Sequence, residues 1–162
     1  MFKHILVPLD SSRFSSRALR YAIEIAQRFD AEVTLMQVVK PATPVITTTV
    51  MGTGIESPTT AKLTARASFA EDKRNMTRAK RYLSRKVREI KSQGIKGTYR
   101  VEVGETAQSI MRFAQEDHMD IVIMTTRGKG GLKRVIMGSV TDEVVRGLGK
   151  PVLVINPQFR RK

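Results

Sequence analysis

Short, dense apolar runs alternate along this chain with longer stretches in which apolar residues return every three or four positions. HILVPL at 4–9 is such a run, closed by Asp10-Ser11-Ser12, and predicts a buried strand. Leu19, Ala22, Ile23 and Ala26 follow at helical spacing and predict a helix capped by Ser11 or Ser12. EVTLMQVV at 32–39, apolar and rich in β-branched residues, predicts a second strand. KGTYRVEV at 96–103 alternates more, as an edge strand with one wetter face would. Gly104-Glu105-Thr106 opens a helix with Ala107, Ile110 and Ala114 on one side. MDIVIMTT at 119–126 is the most continuously apolar run and predicts a central strand, and PVLVIN at 151–156 predicts the last one.

Strands alternating with helices predict α/β architecture: a single-domain open parallel sheet of five strands with helices on both faces. Right-handed crossovers leave few strand orders, and ligands of such sheets bind beyond the carboxyl ends of the strands, where the winding reverses. If the first and fourth strands are neighbours, Asp10 and the segment after Thr125 face each other across that crevice.

Two segments break the rhythm. Residues 41–62, PATPVITTTVMGTGIESPTTAK, are rich in Thr, Pro and Gly and lack a period, which predicts a lid, a binding loop or a disordered segment leaving from the crevice side. From about Lys62 to Gln93 a long helix is expected, with Phe69, Met76, Leu83 and Ile90 recurring every seven residues and Ala79 and Val87 filling the same stripe. Its other face carries Lys73, Arg74, Arg78, Lys80, Arg81, Arg85, Lys86, Arg88 and Lys91 against Glu71, Asp72 and Glu89. Charge runs of this kind are usually solvated faces, and a nucleic-acid groove or an acidic partner is the alternative. Tyr82 is the lone aromatic among those cations, so stacking on single strands is poorly supplied.

Composition changes this picture in three respects. With 162 residues the chain is long enough for one well-buried core. The absence of cysteine excludes disulfides and thiolate chemistry, and the short N-terminal apolar run is neither a leader nor a membrane span, so a soluble cytoplasmic protein is expected. A net charge of +14 points to anionic partners: nucleotides, nucleic acid or an acidic membrane face.

The glycine-rich segment TTRGKGGLKRVIMGSVTDEVV, 125–145, leads from the fourth strand into a helix. Loops of this kind hold phosphate, yet no Walker Gly-Lys-Ser/Thr ending is present, and Lys133 stands where a dinucleotide fingerprint has its third glycine. The spacing is Thr125, Gly128, nine residues, then Gly138-Ser139. This is similar to the ATP-binding signature of the universal stress protein family, G-x-x-G-(nine)-G-S/T. HILVPLDSS resembles the family's first strand with its Pro-x-Asp-x-Ser ending, and GSVTDEVVRGLGKPVLVI resembles its close.

The resemblance spans essentially the whole chain. It implies a Rossmann-like domain over residues 1–157 with strand order 3-2-1-4-5, a flexible loop at 41–62 and a basic tail at 158–162. It implies ATP as ligand, alone or with Mg²⁺, in a stress-response or regulatory protein that acts through partners. Asp10 would sit against the adenine or ribose, and the Val38 backbone would read the adenine edge. Gly128 and Gly138 would let main chain approach the phosphates, and the N–H groups of Ser139, Val140 and Thr141 would bind them. Pro8, Leu9, Met124, Thr125 and Arg127 complete the implied set, with Lys129, Lys133 and Arg134 adding positive potential. Thr125 stands where the family has its first glycine; its hydroxyl can bond a ribose oxygen, and its bulk stands where the sugar would approach. A homodimer through the last strand, 150–157, is implied as well, and an exposed edge strand agrees with it.

Plainer readings stand beside these. Asp10 could cap the first helix, Ser139 with Asp142 could form a capping box, and Gly149 could stop the fourth helix. His4 and His118 are isolated, so a metal site is not expected from them. No catalytic residue is nominated, since no Ser/His/Asp set or paired carboxylates lie near the loop. Slow ATP hydrolysis and nucleic-acid or acidic-partner binding by helix 62–93 are the alternatives to ATP binding alone.

Overall fold

The computed structural model describes residues 2–42, 58–126 and 137–156, and in the long helix its side chains from residue 66 onward. The elements run β1 (His4–Pro8), α1 (Ser16–Phe29), β2 (Glu32–Val39), α2 (Pro58–Lys91), β3 (Gly97–Val103), α3 (Thr106–Glu116), β4 (Ile121–Thr125), α4 (Ser139–Gly147) and β5 (Val152–Ile155). The strands form one parallel sheet in the order β3-β2-β1-β4-β5, the expected order.

Strand alternation divides the core into two layers. Ile5, Val7, Val33, Leu35, Ile121 and Ile123 pack with α1 and with Leu83, Val87 and Ile90 of α2. Leu6, Met36, Val122 and Met124 pack on the other face, with Ile110 and Phe113 of α3 and Val144 and Leu148 of α4. The chain winds outward from β1 to β3, then returns past β1 to β4, and right-handed crossovers therefore put the two helix pairs on opposite faces. Each fully buried Leu or Ile contributes roughly 1.5–3 kcal/mol. β4 is buried at all five residues, as its apolar run foretold, yet the middle of the sheet is β1, with β4 between it and the edge strand β5. β3, the other edge, is the wetter strand expected.

The structure corrects the sequence reading at three places. The first helix does not start from a Ser11 or Ser12 cap: its N-cap is Ser15, with no side-chain cap bond, because residues 11–15 first make a tight turn. The long helix spans 58–91, so the last five residues of the expected loop 41–62 are helical; residues 43–57 lie outside the described part. Nor is the seven-residue stripe of α2 buried throughout. Leu83 and Ile90 are 0% exposed, whereas Phe69 is 73% exposed. A helix of 34 residues is about 51 Å long. A seven-residue strand such as β3 covers only about 23 Å, so the early part of α2 outruns the sheet that would bury it.

At the amino ends of the strands Asp120 ties β4 to β1. Its Oδ2 accepts the amides of Lys3 at 2.7 Å and His4 at 2.9 Å. These two bonds, that to His4 foremost, hold its carboxyl below the ordinary value of 3.8. Lys150, after the turn at Gly149 (φ +66°), donates to the carbonyls of Ala114 and Met119, both at 2.9 Å, and so closes the end of α3.

Candidate functional site

β1 and β4 are neighbours in the sheet, and the winding reverses between them, so their carboxyl ends open a crevice. Three strips of chain border it: the turn after β1, the end of β2, and the junction of β4 with α4.

After Pro8, the last residue of β1, the amide of Leu9 still donates to the Met36 carbonyl at 2.7 Å, and the Leu9 side chain is buried. Asp10 then turns the chain. Its Oδ1 accepts the Ser12 amide at 2.9 Å, an Asx-turn, while its own amide donates to Ser15 Oγ at 3.3 Å. Ser12 Oγ accepts the Ser15 amide at 3.0 Å. Asp10 thus organises the turn that precedes α1, which is the plainer reading in a modified form, and this fixes its half-buried carboxylate at the crevice edge. Ser11 sits at φ +66° with its hydroxyl 3.1 Å from Gln37 Oε1, linking the turn to β2. Ser15 and Gln37 were not singled out from the sequence. The spacing Asp-Ser-Ser-x-x-Ser carried a signal for Ser15, and nothing local marked Gln37.

β2 overhangs β1. Their pairing ends at Pro8 with Met36, whereas β2 stays paired with β3 as far as Val39 with Val103. The Met36 carbonyl faces β1, accepting from Leu9, and the Val39 carbonyl faces β3, accepting from Gly104 at 3.1 Å. Backbone groups of successive residues in a parallel strand alternate sides, so the N–H and C=O of Val38 face the β1 side, past β1's last paired residue. The result is a ledge with one donor and one acceptor directed into the crevice.

On the far side the start of α4 is fastened to β4. The Gly138 amide donates to the Thr126 carbonyl at 2.8 Å, and the buried Thr141 hydroxyl donates to the Thr125 carbonyl at 2.9 Å. The first helical bond is that of Asp142 to the Gly138 carbonyl, so the amides of Ser139, Val140 and Thr141 precede the ladder and point out of the helix start. The N-cap is Gly138 in extended conformation without a side-chain bond, so the capping box of Ser139 with Asp142 does not form. A Cβ at Gly138 would stand 3.1 Å from the Thr126 carbonyl oxygen, which explains glycine there in terms of close approach of two main chains. Gly138's own amide is spent on Thr126, leaving three amides, not four, for an anion. The aligned peptides behind them amount to about half a positive charge.

Met124 and Thr125 are buried at the floor of this junction. Alternation puts Met124 in the α3/α4 layer and turns the Thr125 side chain to the face of Ile121 and Ile123. Arg127, Gly128, Lys129, Lys133 and Arg134 lie outside the described residues. The structure therefore brings together Pro8, Leu9, Asp10, Val38, Met124, Thr125, Gly138, Ser139, Val140 and Thr141 around one crevice. A separate depression of about 250 Å³, lined by Ala26, Asp30, Gly94 and Lys96 among others, lies at the opposite end of the strands and shares none of these residues. Among the described residues no three His, Asp or Glu side chains gather as metal ligands.

Chemically, the crevice offers a donor and acceptor pair at one wall, a carboxylate at its edge and anion-binding amides at the other wall. Comparison with known proteins leads to molecules of the same build. The sequence model of the universal stress protein family matches residues 1–156. Universal stress protein MJ0531 of Methanocaldococcus jannaschii is 30% identical over 155 residues, covering 96% of this chain and 82% of the relative. Among solved structures, that of the hypothetical protein MJ0577 superimposes with a TM-score of 0.78 at 26% identity, over 100% of this chain and 99% of the other. A universal stress protein from Archaeoglobus fulgidus, solved in complex with dAMP, shares the fold with a TM-score of 0.59 at 23% identity, over 96% of this chain and 100% of the other.

Proposed function

This chain belongs to the universal stress protein family, and on that premise we propose that its crevice binds an adenine nucleotide, ATP, whose presence or absence the protein signals to partners. The adenine lies against the β2 ledge, where the Val38 amide donates to a ring nitrogen and its carbonyl accepts from the exocyclic amine. Asp10, held by its Asx-turn, accepts from a ribose hydroxyl. The phosphates meet the amides of Ser139, Val140 and Thr141 and the positive end of α4. Asp10 is the residue that would help hold Mg²⁺, through water, and the ion would supply neutralisation of the phosphate charge. The relative crystallised with dAMP supports the adenine part of this reading, and the family signature supports the triphosphate.

The observation that carries the proposal is the fastened start of α4: two bonds to the carbonyls of Thr125 and Thr126 hold three amides at the winding reversal, facing a backbone pair on β2. Titration of the purified protein with ATP and Mg²⁺ by calorimetry tests it. Saturable binding at micromolar to low millimolar ATP is expected, and no heat of binding at several millimolar overturns it. AMP should bind more weakly than ATP, since the amides at α4 lose part of their ligand.

β5 is a four-residue edge strand whose outer side has no neighbouring strand among the described residues. We place a homodimer there, two copies pairing along 150–157. Light scattering at micromolar concentration should return twice the 18.2 kDa chain mass. A monomer rules the pairing out.

A further inference from the structure

We propose that the outer face of α2 is a docking surface for the phosphate backbone of double-stranded nucleic acid, separate from the nucleotide crevice. The face is ruled by one side chain. Arg74, Arg78, Arg81, Arg85 and Arg88 follow one another at steps of four, three, four and three residues, and all five are exposed. At about 100° per residue this spacing keeps them on one ridge, opposite the buried Ala79, Leu83, Val87 and Ile90. The ridge is about 21 Å long with a guanidinium about every 5 Å.

Three features separate it from an ordinary solvated face. First, sign: from Arg66 to Lys91 there are ten cations and three carboxylates, an excess equal to half of the chain's +14. Like charges one turn apart on a helix cost a few tenths of a kcal/mol per pair, and surfaces evolved only for solubility intersperse both signs. Second, two of the three carboxylates are drawn away. Glu89 pairs with Lys86 at 2.7 Å, and Asp72 accepts the Ala42 amide at 2.7 Å. Among the described residues none of the five arginines is in an ion pair. Third, identity: the ridge is arginine throughout, while the lysines 73, 80, 86 and 91 flank it. The planar guanidinium fork matches a phosphate with two parallel bonds, and lysine does not.

The shape favours a duplex. The ridge is straight and bears no aromatic ring; Tyr82 is half-buried beside it, under the Arg85 guanidinium at 5.9 Å. Without rings to stack bases, recognition rests on phosphates and carries no sequence preference. Successive phosphates of one strand advance about 3.4 Å along a duplex axis, so the ridge spans roughly six base pairs. An apolar strip for entering a lipid surface is missing along the ridge, where only Ala67 and Ala70 extend it.

The test is fluorescence anisotropy of a labelled 20-base-pair DNA of arbitrary sequence with the full chain, from 50 to 300 mM KCl. Binding is expected, with log K falling against log salt at a slope of about −4 to −5 for five phosphate contacts. A second duplex of scrambled sequence should bind equally. Glutamine at all five ridge positions should weaken binding at least about 100-fold at 100 mM salt, and each single variant such as Arg81→Gln should reduce the slope by about one. All five side chains are exposed, so circular dichroism should match the wild type. A control with glutamine at Arg17, Arg20, Arg28, Lys96 and Arg146 removes the same charge elsewhere and should retain most of the affinity. Absence of a signal at 50 mM salt overturns the proposal. Equal loss in the control does too, as does tighter binding to single strands, to polyglutamate or to phosphatidylserine vesicles than to the duplex.

Discussion

The crevice and the arginine ridge are both proposed to attract anions, by opposite means. At the crevice the attracting groups are main-chain amides, fixed by bonds to Thr125 and Thr126, and side chains matter chiefly by being small or by holding the backbone still. Along the ridge the backbone is irrelevant, and five long, mobile side chains supply all of the attraction. A ligand at the first is read by geometry at short range, with little help from net charge. A ligand at the second is read by charge, over a Debye length of about 8 Å at physiological salt. One molecule can therefore carry a selective anion site and a promiscuous one without the two competing, provided each is insulated from the other's changes.

That contrast can be broken by substitution. The largest effect is expected inside α2, where Leu83→Ala should cost about 3 kcal/mol in urea unfolding, because Leu83 anchors the helix that presents the ridge. Phe69→Ala, on the part of the same helix that outruns the sheet, should change stability by less than about 0.5 kcal/mol. Gly138→Val comes next: ATP affinity should fall at least about 100-fold, equivalent to about 2.7 kcal/mol, while duplex binding stays within about twofold. Since the new side chain also presses on the Thr126 carbonyl, a thermal melt must accompany the titration. If both ligands were lost together from a folded variant, the two regions would not be independent. Thr141→Val removes the hydroxyl that pins α4 to Thr125 and should cost about 1 kcal/mol in stability and several-fold in ATP affinity, again sparing the duplex.

A modest effect is expected far from both regions, at Asp120. Its carboxyl is held below 3.8 by the Lys3 and His4 amides, so its contribution is fully present above that value and is lost as pH falls through the lowered one. Asp120→Ala should thus cost about 1 kcal/mol at pH 7. The gap between wild type and variant should close as unfolding is followed below about pH 3.8. A gap that persists unchanged at pH 2 would mean the carboxylate does not clamp the strands.

Much of this was legible in the residues. Apolar runs gave four of the strands within a residue or two, and alternation gave β3, the edge with a wetter face. The crevice residues were reached through a spacing pattern, Thr125 to Ser139, together with Pro8 and Asp10. What the sequence hid was whatever depends on distance across the fold. Val38 was named only through the family resemblance, and the reason its backbone is open appears only where β1 stops short beside it. Thr141 looks like one more helix residue until its hydroxyl meets a carbonyl sixteen positions earlier. Phe69 fits the heptad stripe of α2 faultlessly, and only the finite length of the sheet leaves it in water. Ser12 was read as the helix cap because a serine before an apolar period usually is one; its hydroxyl does accept the Ser15 amide, but that bond closes the turn at 13–15, and the helix starts only after Ser15.

Thr126 gives the fold a short lever arm. Its carbonyl receives the Gly138 amide at 2.8 Å, and its amide donates to the Ile155 carbonyl at 3.0 Å. The mouth of α4 and the outermost strand are thereby coupled through one residue. The two groups lie in the two peptide planes that meet at the Thr126 Cα, so a rotation at that residue which eased one contact would strain the other. Signal transmission from pocket to rim would need no hinge and no travelling domain, only the rocking of two amide planes about one Cα.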